Sequence, residues 1–132
     1  MKETGYEKAR TECPLYKTLN VMGKRWSFDI MAELICHGDK RRYNQMLKAL
    51  VFITPKVLSQ RLKELESNGL IKRTVYPDET PVRVEYELTG KGDELKAIIN
   101  EMIKWGNKWA YDGPHDDKCK LCRNFRSEYG IK

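Results

Sequence analysis

Residues Arg41 to Leu88 read RRYNQMLKALVFITPKVLSQRLKELESNGLIKRTVYPDETPVRVEYEL, and their punctuation divides them into helix, turn, helix and a two-stranded hairpin. The second of these helices is the informative one. Thr54 suits an N-cap and Pro55 the first helical position, where its missing N–H goes unneeded. Gly69 after Asn68 suits a left-handed cap, so the helix is predicted from Pro55 to Asn68. At about 100° per residue, Leu58, Leu62 and Leu65 share one face, which must be the core side. Lys56, Gln60, Lys63 and Ser67 fall opposite, with Ser59 beside them, and such side chains bond to base edges and to phosphates. A helix turned this way, behind a short helix and ahead of a basic hairpin, has the layout of a DNA-reading unit.

The bland alternative is an ordinary amphipathic helix with solvated charges. Charge distribution argues against it. From Asp39 to Arg73 there are nine basic residues (Lys40, Arg41, Arg42, Lys48, Lys56, Arg61, Lys63, Lys72, Arg73) and three acidic ones (Asp39, Glu64, Glu66), a balance of +6 that equals the net charge of the whole chain. A charge excess confined to the helix-turn-helix is the footprint of a polyanion partner.

The 132 residues as a whole fit one domain with an ordinary apolar content of 40%. The polar start, Met1-Lys2-Glu3-Thr4, does not resemble a signal segment, and no apolar run nears the ~20 residues of a membrane span. The expectation is a soluble, cytoplasmic chain with no membrane partner. Residues 1–12 are charged and unpatterned, the expected mobile arm. Cys13-Pro14 opens a short helix to Met22, with Leu15, Leu19 and Met22 on one side, and Gly23 ends it. A stronger helix follows Lys24-Arg25-Trp26-Ser27 and lasts to about His37, with Phe28, Ile30, Met31, Leu34 and Ile35 as its apolar stripe. Arg41-Arg42-Tyr43 is a candidate first strand before the helix Asn44 to Leu50. Val51-Phe52-Ile53 is the turn, apolar enough to be tucked under. Ile71 to Tyr76 and Val82 to Leu88 alternate as strands around Pro77-Asp78-Glu79-Thr80-Pro81. Thr89 caps a last helix to about Ala110. The fold class is therefore mainly α with a small antiparallel hairpin (α+β), a winged helix-turn-helix over residues 13–110, and residues 111–132 form a polar tail.

On the last helix, Leu95, Ile98, Ile99, Met102, Ile103, Trp105 and Trp109 spread over about 160°, wider than the ~100° that one packing contact uses. A second copy is the expected cover, and these seven residues form the expected dimer interface. A two-fold dimer sets two recognition helices on successive major-groove faces of a palindromic operator.

With these residues assembled, the chain resembles the HxlR-type branch of winged-helix transcription regulators, related in architecture to MarR proteins. The resemblance covers about Cys13 to Trp109. It rests on the order and spacing of Cys13-Pro14; Gly23-Lys24-Arg25-Trp26; Val57-Leu58-Ser59-Gln60-Arg61-Leu62-Lys63-Glu64-Leu65-Glu66; Gly69-Leu70-Ile71; Pro81-Val82-Arg83-Val84-Glu85-Tyr86; Leu88-Thr89; and Trp105-Gly106. The chain departs from the family pattern at Met22, where a glycine is usual, at Arg25, inserted before Trp26, and at Tyr43, where Phe is commoner. The resemblance implies a homodimeric, sequence-specific DNA-binding regulator, often a repressor. It also implies a sensing role for Cys13, toward an oxidant or small electrophile. That role makes physical sense, because a helix dipole and free N–H groups favour a thiolate at an N-cap; the alternative is a small apolar cap packed on the core.

The tail motif H-x3-C-x2-C (His115, Cys119, Cys122) admits a zinc site, a redox pair or neither. A fourth zinc ligand would have to be Cys13, Cys36, His37 or a residue of a second subunit. No cofactor is otherwise required. Cys36 and His37 are adjacent and point about 100° apart on a helix, so they form no nucleophile–base pair.

As a DNA reader the chain would use Lys24, Arg25, Ser27 and Arg42 on phosphates, and Thr54, Lys56, Ser59, Gln60 and Lys63 on the recognition helix. Arg83 would reach from the wing. Arg61, at the edge of the core side, should make an intramolecular or backbone contact. A winged-helix protein-interaction module would show an acidic recognition helix or lack a basic wing, and neither holds. A zinc or thiol switch built on the C-x2-C is the other alternative. No catalytic constellation is present, and an enzyme is not expected.

Overall fold

The computed structural model describes residues 5–110. In chain order these are α1 (Gly5–Glu12), α2 (Pro14–Met22), α3 (Ser27–Ile35), β1 (Lys40–Arg42), α4 (Tyr43–Ala49), α5 (Pro55–Ser67), β2 (Ile71–Tyr76), β3 (Arg83–Leu88) and α6 (Gly90–Trp105), which runs into a wider π-type turn, Gly106–Ala110. Where an unpatterned arm was expected, residues 5–12 form α1, a helix rich in good helix formers that contacts α2.

The strands form an antiparallel sheet in the order β1-β3-β2. Lys40 faces Glu87 and Arg42 faces Glu85, while β2 pairs from Ile71 opposite Leu88 to Tyr76 opposite Arg83. Strand β1 sits one residue earlier than expected. Its end is set by Gln45, whose Oε1 accepts the Arg42 N–H at 2.9 Å and starts α4 at Tyr43.

The core lies between α3, α4, α5 and the sheet: Ile30, Met31, Leu34, Met46, Leu58, Leu62, Leu65, Ile71 and Tyr86 are all buried together. Each of the three α5 leucines contributes about 1.5–3 kcal/mol by leaving water. The expected turn is only partly tucked under. Ile53 is buried, but Val51 and Phe52 face solvent.

Asp39 joins three elements. Its N–H bonds to Leu34 O at the end of α3, and its C=O accepts from Leu88 N of β3. Its carboxylate holds Lys96 Nζ of α6 at 2.8 Å, alongside Asp93 at 2.8 Å. Burial alone would push the Lys96 pKa down, but the hydrogen bonds and charges of Asp39 and Asp93 outweigh it and raise it. Asp39→Asn is expected to lower urea-unfolding stability by about 1–2 kcal/mol, discounted because both carboxylates are partly exposed. A lysine raised in the folded state contributes in full below its ordinary value of 10.5 and loses that contribution only as pH climbs through the raised value. The wild-type–variant difference should therefore be flat from about pH 7 to 10; a loss that fades across that range would contradict the assignment.

Candidate nucleic-acid interface

Thr54 is the N-cap of α5, its Oγ1 accepting the Val57 N–H at 3.2 Å, and Pro55 opens the helix. Gly69 takes φ +75° at the other end, where a side chain would be strained. With Leu58, Leu62 and Leu65 buried, Lys56, Ser59, Gln60 and Lys63 stand on the exposed face. Ser59 is oriented by Tyr43, whose hydroxyl lies 3.1 Å from Ser59 Oγ and donates to Pro55 O at 3.3 Å.

Between this helix and the sheet's hairpin lies a cleft of about 830 Å³, lined by Arg42, Arg73 and Arg83 together with Tyr43, Asn44 and Ser59. Arg83 is presented by stacking: its guanidinium sits 3.9 Å from the Tyr76 ring centroid and its Nε 3.1 Å from Glu79. At the cleft floor, burial pushes the Tyr86 hydroxyl above its ordinary pKa against the opposing pull of an Arg73 hydrogen bond, so it stays neutral. The acidic residues of β3 are themselves compensated, since Lys40 Nζ lies 3.2 Å from Glu85 and 3.7 Å from Glu87. Those two carboxylates also raise the Lys40 pKa, the Glu85 hydrogen bond first.

Arg73 was missing from the expected contact set. It belongs to the charge excess of residues 39–73, but alternation along β2 puts it on the side of the buried Ile71 and opposite the buried Tyr86, so its exposed place is not legible from the strand pattern. Ser27 is a correction in the other direction. Trp26 before it takes φ 78°, and this left-handed step turns α3 so that Ser27 is 1% exposed. A hydroxyl buried there does not reach a phosphate. Lys24 is exposed beside Glu64 at 3.4 Å, and Arg25 lies over the Trp26 ring. Arg61 behaves as expected from its position: Nε donates to Arg25 O at 2.9 Å and Nη1 to Glu64 at 3.3 Å. This ties the loop after α2 to α5.

The wide apolar face of α6 divides. Ile99 is buried against Ile35, Phe28 and Leu88, and Leu95 and Ile103 are partly buried on the chain's own core. Ile99 is a correction to the expected interface, buried because α6 lies along β3 and the end of α3, while Leu95 and Ile103 keep part of their surface exposed. Ile98, Met102, Trp105 and Trp109 stay exposed among the described residues, and Leu15 and Leu19 of α2, not in the expected set, are exposed too.

Cys13 caps α2 in extended backbone and is partly exposed; Cys36 is partly buried at the end of α3. His115, Cys119 and Cys122 lie outside the described residues. Among the described residues, no cluster of three metal-binding side chains occurs, and no helix is long and apolar enough to cross a membrane.

The sequence profile of HxlR-like helix-turn-helix proteins matches residues 21–113. The chain belongs to the HxlR family. Its relatives include the HTH-type transcriptional regulator YvaP of Bacillus subtilis, 43% identical over 98 residues, covering 74% of this chain and 88% of YvaP. Among solved structures, the redox regulator HypR in its oxidized form aligns with TM-score 0.63 at 33% identity, over 79% of this chain and 99% of that one. The reduced form of the B. subtilis transcriptional regulator YodB aligns with TM-score 0.61 at 37% identity, over 77% and 98%; YodB has also been solved after diamide treatment. This HxlR-family chain is a winged-helix, DNA-binding transcription regulator and not an enzyme.

Removing the Arg61 tie tests the geometry. Arg61→Ala is expected to cost about 1–2 kcal/mol of stability in urea unfolding, with Arg61→Lys recovering less than half because an ammonium lacks the guanidinium fork. Equal stability for all three proteins would show that the tie carries nothing.

Proposed function

We propose that the chain acts as a homodimer that reads a palindromic operator in double-stranded DNA and represses transcription. The observation that carries this reading is the outer face of α5, polar and exposed along its length, beside a cleft walled by Arg42, Arg73 and Arg83. Lys56, Ser59, Gln60 and Lys63 are the base readers, with Thr54 at the helix start. Gln60 suits adenine and Lys56 suits guanine. Lys24, Arg25, Arg42 and Arg73 hold phosphates, and Arg83 reaches the backbone or minor groove from the wing.

The exposed stripe of Ile98, Met102, Trp105 and Trp109, with Leu15 and Leu19 on α2, supports a second copy as its cover. A dimer built there separates two α5 helices by a set distance. Operator reading of this kind needs no cofactor and places the protein with the chromosome in the cytoplasm. The tail residues His115, Cys119 and Cys122 offer three zinc donors, and elemental analysis of protein purified without chelator decides whether they hold a metal.

Cys13 is the proposed sensor of an oxidant or small electrophile. Its place at the start of α2, the helix whose far end is tied through Arg25 and Arg61 to α5, supports it. So does the likeness to HypR and YodB. A disulfide formed between Cys13 and a thiol of the second copy, with two electrons and two protons passing to the oxidant, would move α2 and with it the recognition helix.

Fluorescence anisotropy with the intergenic duplex beside the protein's own gene tests both parts. Reduced protein should stay bound in excess nonspecific duplex, and diamide should shift the affinity at least tenfold. Cys13→Ser should bind as tightly but ignore diamide. Binding abolished by competitor or moderate salt would reduce the contact to phosphate attraction; a diamide response that survives in Cys13→Ser would remove Cys13 as the sensor.

A further inference from the structure

One side chain beside the recognition helix is placed where the backbone disfavours it and where water surrounds it. Leu50, Val51, Phe52 and Ile53 form a tight turn closed by the Ile53 N–H on Leu50 O at 3.1 Å. Its third residue, Phe52, has φ +75°. That position favours glycine, because a side chain with a left-handed backbone crowds its own carbonyl. Phe52 is also 91% exposed, so neither core packing nor a described neighbour compensates the strain or the hydration of the ring. Strained, solvent-facing residues of this kind cluster where a ligand is bound.

The location says which ligand. Phe52 precedes the Thr54 cap by two residues, at the end of α5 that enters the major groove in helix-turn-helix readers. Lys48 before it and Lys56 after it are exposed cations, so the ring is set in a surface suited to a polyanion rather than to an apolar protein patch. Val51, also exposed, widens the apolar tip, while Ile53 is buried and anchors the turn. In the major groove, the apolar feature that distinguishes one base from the others is the 5-methyl group of thymine.

We propose that Phe52 is a specificity-determining residue whose ring packs on a thymine methyl at the edge of each half-site. This rests on the DNA-reading role of α5 and adds an apolar contact to its polar ones.

The test uses a duplex enriched from a random-sequence pool by the full-length wild-type protein, with each thymine replaced in turn by deoxyuridine, which removes only the methyl. One position per half-site should weaken wild-type binding about fourfold, the scale of one buried methyl group. Phe52→Gly, which removes the ring from both protomers, should lose both contacts, about sixteenfold on the unmodified duplex, and show no further sensitivity to deoxyuridine at either position. This variant keeps the fold, and release of the left-handed strain should raise its melting temperature by roughly 2–6 °C. Indifference of the wild type to every deoxyuridine, or full deoxyuridine sensitivity in Phe52→Gly, overturns the proposal. A wild-type protein that enriches no sequence from the pool overturns the DNA reading beneath it, and is distinguished from the first two results at the selection step.

Discussion

The joint between the end of α5 and the start of α6 is the constraint on which the rest depends. Lys91 Nζ donates to Asn68 O at 2.6 Å, Thr89 Oγ1 donates to Gly69 O at 2.5 Å, and Thr89 N–H donates to Leu70 O at 3.1 Å. Thr89 Oγ1 also accepts the Gly92 N–H and so caps α6. Gly92 itself is pressed so closely on Leu70 that a Cβ would lie 2.2 Å from the carbonyl oxygen. These contacts satisfy the last carbonyls of one helix with the first residues of another, which leaves little freedom between them. The helix carrying the exposed apolar stripe is thereby rigid with respect to the helix carrying the proposed base readers. In a dimer closed through α6, the spacing of two α5 helices follows from this joint.

A second coupling meets α5 from the other side. Glu64 receives Arg61 from its own helix and Lys24 from the loop after α2, while Arg61 also holds the carbonyl of Arg25. The recognition helix is therefore fastened at its middle to the α2–α3 loop and at its end to α6. A chemical change at the start of α2 has a short covalent and hydrogen-bonded route to α5, with no long-range relay needed. On the wing, Lys40 compensates Glu85 and Glu87, so the sheet's acidic residues do not repel a phosphate from the arginine-lined cleft.

Much of this was legible in the sequence because it is local. Thr54-Pro55 and Gly69 mark the ends of α5, and the leucine spacing identifies its buried face, so its exposed face followed without knowledge of the fold. Arg61's inward contact followed from the same helical angle. What could not be read depends on backbone handedness and on neighbours distant in sequence. The left-handed steps at Trp26 and Phe52 lie on residues that seldom adopt them, and each reversed an expectation: Ser27 went inside and Phe52 went out. Arg73 joins the cleft only because β2 pairs with β3 beside α4. The division of α6 into Ile99 inside and Ile98, Met102, Trp105 and Trp109 outside required knowing which neighbours cover it, since helical angle alone marked all seven residues as one broad face.

The central claim is that two α5 helices, held at a set spacing, read bases through their outer faces. Binding-site selection from a random duplex pool with wild type and Gln60→Ala measures this most directly. The account predicts a palindrome whose half-sites are centred about 10 base pairs apart or a multiple of that. Gln60→Ala should lose its preference at one symmetry-related pair of positions and keep the rest. Enrichment of no palindrome, or a Gln60→Ala loss spread evenly over all sequences, would contradict it.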